Sequence, residues 1–184
     1  MIQTTLSPSR RHLLSTLCLV GSAALFSLPA HAARPALKYA SEIALKASPQ
    51  KAWDSFKTFG AIHDWHPATE GTKLLVGENG KPLAVREFQL KGGPGFVISE
   101  LLAYDEGRKR FKYRIIKTNL PLANYVAEMW VTSAPGGGSV VHWSASFQRP
   151  EEQAKPDQDD AATLKLIQGI FKVGLDNIAV ITAR

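Results

Sequence analysis

The run His63-Asp64-Trp65-His66-Pro67 places two imidazoles three residues apart. An H-x-x-H pair can ligate a metal, but no third ligand stands at a telling position, so no metal site is predicted. The same imidazoles can orient a ligand at a cavity entrance. Either can also act as a general base, because histidine titrates near neutral pH. Arg86 and Glu100 form a second candidate pair: a fixed cation stabilises an oxyanion, and a carboxylate takes up a proton. The sequence contains no nucleophile–base–orienter set, no phosphate-binding glycine loop and no dinucleotide fingerprint, so no cofactor is predicted and enzymatic activity is not indicated. The glycine runs at 92–95 and 136–138 read as hairpin turns.

These side chains are carried by a recognisable order of elements. Residues 37–45 are strand-competent. Ser48-Pro49-Gln50 opens a helix with Ser at the N-cap and Pro at its first position. Ala52, Trp53, Phe56 and Phe59 then follow at helical spacing, and Gly60 ends the helix. Alternating segments at 72–76, 83–90, 96–105, 110–118, 124–133 and 139–148 are separated by short Gly, Asn, Asp and Pro turns, the signature of consecutive antiparallel hairpins. After a polar stretch at 149–160, Asp159 or Asp160 caps a last helix running to about residue 183. Leu164, Ile167, Ile170, Phe171, Gly174 and Ile178 mark its buried face. Strands and helices do not alternate, which argues against a parallel doubly wound sheet. The expected fold is α+β: a seven-stranded curved antiparallel sheet around one long C-terminal helix, with short helices between the first two strands.

Strand alternation assigns the faces. A hairpin symmetric about Gly93 pairs Leu90 with Phe96, Phe88 with Ile98 and Arg86 with Glu100. A hairpin about Gly136 pairs Val131 with Val141, Met129 with Trp143, Ala127 with Ala145 and Tyr125 with Phe147. The predicted concave surface holds Phe88, Leu102, Tyr113, Tyr125, Met129, Trp143 and Phe147 around an Arg86–Glu100 pair. Glu87, Gln89, Ser99 and His142 fall on the outward face. A filled core with one structural ion pair is the plain reading. A buried ion pair is costly to desolvate, however, and is better accounted for if it lines a cavity. The predicted ligand-binding set is Trp53, His63, Trp65, His66, Arg86, Phe88, Glu100, Tyr113, Tyr125, Met129, Trp143, Phe147 and Phe171.

In order and spacing the chain resembles the START/Bet v 1-like (SRPBCC) superfamily, and within it the polyketide cyclase/dehydrase group. The resemblance rests on Ala47-Ser48-Pro49-Gln50-Lys51-Ala52-Trp53 and Phe59-Gly60-Ala61-Ile62-His63-Asp64-Trp65-His66-Pro67. It continues through Val85-Arg86, Glu100-Leu101-Leu102-Ala103-Tyr104-Asp105 and Pro121-Leu122-Ala123-Asn124-Tyr125. Val141-His142-Trp143-Ser144-Ala145-Ser146-Phe147 and the terminal helix complete it. It implies a helix-grip fold with an elongated, mostly apolar cavity between sheet and helix. It does not imply catalysis, since the superfamily includes carriers, receptors and cyclases. The exported form resembles the MxaD-like accessory proteins of bacterial periplasmic methanol oxidation.

The N-terminus accounts for the word exported. Arg10 and Arg11 precede an apolar stretch from Leu13 to Leu28, and Ala30-His31-Ala32 matches an A-x-A cleavage site. Residues 1–32 therefore read as a secretory signal peptide, and Ser9-Arg10-Arg11-His12-Leu13-Leu14 also resembles a twin-arginine signal. The remaining 33–184 reads as one periplasmic domain that does not span the membrane. Of the 184 residues, 45% are hydrophobic and 21% charged, which excludes disordered, collagen-like and coiled-coil classes. Cleavage lowers the formal charge from +6 to +4 and removes the single cysteine, Cys18, so neither a disulfide nor a thiolate is available to the mature chain.

Three roles fit. A binding protein would bury a hydrophobic small molecule or lipid on Trp53, Tyr113, Tyr125, Trp143 and Phe171, with Arg86, Glu100 and His66 orienting its polar end. A cyclase or dehydratase would use Glu100 or His66 as base and Arg86 as oxyanion stabiliser. A docking protein would present Arg108-Lys109-Arg110 with Lys112 and Arg114 to a periplasmic dehydrogenase or cytochrome. Nucleic acid is not an expected partner of an exported protein.

Overall fold

The first strand is extended because Leu37, Tyr39, Ile43 and Leu45 fall on one face of a period-two pattern and Lys38, Ala40, Glu42 and Ala44 on the other. In the computed structural model, which describes residues 35–150 and 159–184, β1 spans Leu37–Leu45. The expected signal peptide and most of the 149–160 stretch lie outside the described residues.

Ser48 caps α1 (Pro49–Asp54), its Oγ accepting from the Lys51 N–H at 3.3 Å. This helix stops earlier than its apolar spacing suggests: it closes at Ser55, and Phe59–Ala61 forms a separate 3-10 turn leading into α2 (Ile62–Trp65). Six strands follow: β2 (Thr69–Val76), β3 (Val85–Leu90), β4 (Phe96–Asp105), β5 (Arg110–Thr118), β6 (Ala123–Ser133) and β7 (Ser139–Gln148). β2 starts three residues before expectation. β3 starts two residues after it, beyond Leu83, whose φ of 71° is left-handed. α3 (Asp160–Thr182) is capped by Asp159, whose carboxylate accepts from the Ala162 N–H at 2.8 Å.

The sheet order is β1-β7-β6-β5-β4-β3-β2, with every neighbouring pair antiparallel. β1 and β2 are therefore opposite edges, and the α1–α2 segment carries the chain from one edge to the other. α3 buries Thr163, Ile167, Phe171, Gly174, Leu175, Ile178 and Thr182, a stripe at the three-to-four spacing of one helix face. This is the α+β helix-grip architecture expected from the sequence.

The β6–β7 register is as expected at Val131–Val141, Met129–Trp143 and Ala127–Ala145. It shifts between Ala123 and Val126, where Asn124 adopts a φ of 51°. Tyr125 and Phe147 nonetheless stay inside and stack at 6.2 Å.

The β3–β4 hairpin differs from expectation by one residue. Leu90 donates its N–H to the Gly95 carbonyl at 2.7 Å, closing a four-residue turn rather than one centred on Gly93. The pairs are accordingly Phe88–Val97, Arg86–Ser99 and Val85–Glu100. A one-residue slip exchanges the faces of a strand. Val97, Ser99 and Leu101 therefore point inward and are buried, whereas Glu100 and Leu102, expected inside, do not join them.

Candidate functional site

Between the concave face of the sheet and the first half of α3 lies a cavity of about 50 Å³. Every layer contributes to its wall: Ile62, His66 and Thr69 from the α2–β2 segment, Arg86, Phe88 and Leu90 from β3, and Val97 from β4. Tyr113 and Ile115 come from β5, Leu120, Leu122 and Tyr125 from the β5–β6 corner, Trp143 from β7, and Ile167 and Ile170 from α3. The wall is apolar except where Arg86, His66, Thr69 and the two tyrosines interrupt it. The space is far smaller than the elongated cavity implied by the resemblance, and it suits a few waters or one compact molecule.

Arg86 is 2% exposed. Its Nε donates to Ser99 Oγ at 3.1 Å and its Nη1 to the Phe59 carbonyl at 2.5 Å. The guanidinium carbon lies 4.1 Å from the centre of the Phe59 ring and 5.3 Å from that of Tyr113, both in cation–π range. Burial pushes its pKa down to about 10, so the group is still protonated at neutral pH. Among the described residues no carboxylate pairs with it. The expected partner, Glu100, sits on the opposite face of β4 and binds Arg114, with Nε 2.6 Å from Oε2.

His66 is 1% exposed and lines the cavity, with Nε2 3.0 Å from the Ile170 carbonyl oxygen. A carbonyl only accepts, so Nε2 carries the proton and Nδ1 is left as an acceptor. Nδ1 is buried and has no partner among the described residues. Burial, helped by the nearby Arg86 charge, lowers the His66 pKa and keeps the ring neutral. Gly174 makes this geometry accessible: a Cβ there would lie 2.7 Å from His66 Cδ2 and 2.9 Å from Trp143 Cζ3.

The phenols form a short relay. Trp143 Nε1 donates to Tyr113 Oη at 3.2 Å, and Tyr113 Oη lies 3.5 Å from Tyr125 Oη. Burial raises the pKa of both tyrosines, so neither supplies a negative charge to Arg86.

Of the residues expected at the site, His66, Arg86, Phe88, Tyr113, Tyr125 and Trp143 converge on the cavity. Trp65, Phe147 and Phe171 support it from behind. Phe171 stacks on Trp143 at 4.0 Å, Phe147 stacks on Tyr125, and Trp65 meets Trp143 edge-on. Met129 is fully buried opposite Trp143, and Trp53 packs instead with Phe56, Tyr104 and Phe111. His63 and Glu100 are elsewhere. His63 is exposed and pairs with Asp64 at 3.2 Å, so the two imidazoles of the H-x-x-H run do not converge. Among the described residues no three His, Cys, Asp or Glu side chains gather as metal ligands.

Several wall residues carry no chemical signal in the sequence. Thr69, Leu120 and Leu122 sit at element ends, where periodicity gives no direction; the leucines flanking Pro121 were the one available cue. The basic run on β5 is largely paired within the sheet: Arg108 with Asp105, Arg110 with Glu128, and Arg114 with Glu100.

The comparisons agree with this architecture. The XoxI protein of Bacillus cereus superposes with a TM-score of 0.69 at 22% identity, covering 79% of this chain and 95% of that one. An uncharacterised protein of Bacillus thuringiensis gives 0.69 at 20% identity, covering 80% and 100%. A protein of Thermobifida fusca gives 0.68 at 24% identity, covering 80% and 93%. At these identities the likeness is one of fold. No match is found among curated proteins. The family described as polyketide cyclase/dehydrase and lipid transport matches residues 36–180, from the first strand almost to the end of the last helix. The chain therefore belongs to the polyketide cyclase/dehydrase and lipid transport family, within the SRPBCC superfamily that its helix-grip fold indicates.

Proposed function

We propose that the protein is an exported binding protein that holds one compact, mostly apolar molecule between its sheet and α3. The observation that carries this reading is the cavity itself. Apolar walls with a few convergent polar groups are the usual make-up of a small-molecule site, and here Arg86, His66, Tyr113 and Tyr125 provide those groups. The family description, which includes lipid transport, supports the reading. The signal-like residues 1–32 and the MxaD-like resemblance support a periplasmic accessory role beside methanol oxidation, with docking to a dehydrogenase or cytochrome as its partner side. The pairing of Arg108, Arg110 and Arg114 within the sheet leaves less free positive charge for such docking than the sequence suggests. Native mass spectrometry of the protein purified from periplasm tests the proposal. The expected result is a chain beginning near residue 33 with one small molecule bound. A chain that retains residues 1–32 and takes up nothing from a panel of apolar compounds overturns it.

A cyclase or dehydratase reading draws on one observation, the free Nδ1 of neutral His66 in the same cavity as Arg86. Its base would be His66, with Arg86 stabilising the oxyanion, since Glu100 faces away. Incubation of the recovered ligand with fresh protein tests it: an unchanged ligand mass and NMR spectrum eliminates turnover.

A further inference from the structure

Burying a charge without a counter-charge is among the costlier things a fold can do. Arg86 is such a charge. It stands on β3, 2% exposed, in a mostly apolar wall. Its neutral neighbours compensate it partly, through the Phe59 carbonyl, Ser99 Oγ and the faces of Phe59, Phe88 and Tyr113. A guanidinium has five N–H donors arranged to fit a planar carboxylate, and those contacts use two of them. The ionisable side chains that share the cavity are His66, Tyr113 and Tyr125. None of them is an anion at neutral pH.

We infer that the cavity completes its electrostatics with its ligand: the occupant is a monocarboxylate on a compact apolar body, its anion held by Arg86 and its body by Phe88, Val97, Ile167 and Ile170. The inference rests on the binding reading above and names its ligand class. Carboxylate is favoured over phosphate because one cation balances one negative charge. The phenol relay favours it too. Tyr113 Oη accepts from Trp143 Nε1, so its own proton is available to Tyr125 Oη, and the Tyr125 proton is then free to meet an acceptor in the cavity. At about 50 Å³ the cavity is well below the roughly 150 Å³ that admits benzene, so the body is limited to two or three carbons.

Isothermal titration of the wild-type protein with acetate and propionate, against acetamide and propionamide, reads the charge preference directly. These pairs have nearly the same shape and differ in charge. The expected result is that the carboxylates bind about tenfold or more tighter than their amides, and that Arg86→Met abolishes this difference while folding at least as stably as wild type. Equal affinity of acid and amide for the wild type overturns the inference and leaves the apolar binding reading standing. Sodium chloride that protects against thermal unfolding as well as sodium propionate does at equal concentration overturns the organic part, since a small inorganic anion would then suffice. Absence of binding by all four compounds overturns the inference and the binding reading together. The acid–amide comparison needs no variant, so it decides the question even if Arg86→Met does not fold.

Discussion

Gly174 and Gly169 lie in the same helix, and an alanine in place of each meets different surroundings. Alanine is favoured over glycine in a helix by up to about 1 kcal/mol. At Gly169 an added Cβ meets nothing within 4 Å, so Gly169→Ala is expected to stabilise the protein by roughly 0.5–1 kcal/mol. At Gly174 the Cβ would stand 2.7 Å from His66 and 2.9 Å from Trp143, two buried rings with no room to retreat. Overpacking of that kind costs about 1–3 kcal/mol, so Gly174→Ala is expected to destabilise despite its better propensity. It is also expected to loosen the His66 hydrogen bond to Ile170. Urea unfolding of the two variants beside wild type checks the pair, and equal shifts would contradict the close approach at Gly174. His66 adds a pH dependence. Its pKa is lowered in the fold, chiefly by burial. As pH falls, the unfolded chain therefore takes up this proton first. The stability linked to neutral His66 is complete above its ordinary value near 6.5 and declines as pH drops below it. Between about pH 7.5 and about pH 5, wild type is expected to lose more stability than His66→Gln. Identical pH profiles would place His66 in a solvated setting.

At the scale of elements, what could be read ahead depended on turn length and on which residues close the ladders. The β6–β7 hairpin was legible as far as Ala127–Ala145, because its apolar pairs agree with its turn. The β3–β4 hairpin was legible in Arg86 and Phe88 but not in their partners. Lys91-Gly92-Gly93-Pro94-Gly95 can close as a turn of four residues or of five, and both choices give β4 alternating apolar positions. Only the Leu90–Gly95 hydrogen bond selects the even turn. Glu100 therefore leaves the inward face, Ser99 and Leu101 are buried on it, and Arg86 loses the partner that periodicity suggested. The candidate site was thus legible in its cation and aromatics and illegible in its charge balance. Asn124 is the comparable device on β6. Its left-handed φ of 51° shifts the register between Ala123 and Val126, and its amide donates to Gln148 Oε1 at 2.6 Å. Asparagine visits that region readily; β-branched residues do not. Asn124→Val is expected to cost about 1–2 kcal/mol, and Asn124→Gly distinctly less. Thermal unfolding of both separates backbone strain from the lost side-chain hydrogen bond. Equal losses would assign the effect to the amide alone.

Across the whole molecule, the sheet order makes β1 and β2 the opposite edges, each paired on one side, with α3 lying over the concavity between them. Most of the cavity wall is buried, but Leu90, Ile115, Leu120 and Ile170 are half-buried, and they mark the rim. Two of these residues, Leu90 and Leu120, lie on or beside the β3–β4 and β5–β6 turns. Asn119 fastens those turns together: its Oδ1 accepts from the Phe96 N–H at 3.0 Å, and its Nδ2 donates to the Pro94 carbonyl at 2.9 Å. The rim is therefore a tied pair of turns facing one helix. A bulkier rim residue should raise a barrier common to entry and exit without altering the contacts made inside. Leu120→Phe is expected to slow both association and dissociation of propionate by about tenfold, a span within what single interface changes do to association rates. The dissociation constant and the melting temperature should change little, because Leu120 is at a turn and outside the main packing of α3 on the sheet. Stopped-flow fluorescence from Trp143, which touches the cavity, supplies both rates. Unchanged rates would mean that the molecule admits its ligand by another route. A weakened affinity with an unchanged association rate would place Leu120 in the binding wall and not at its entrance.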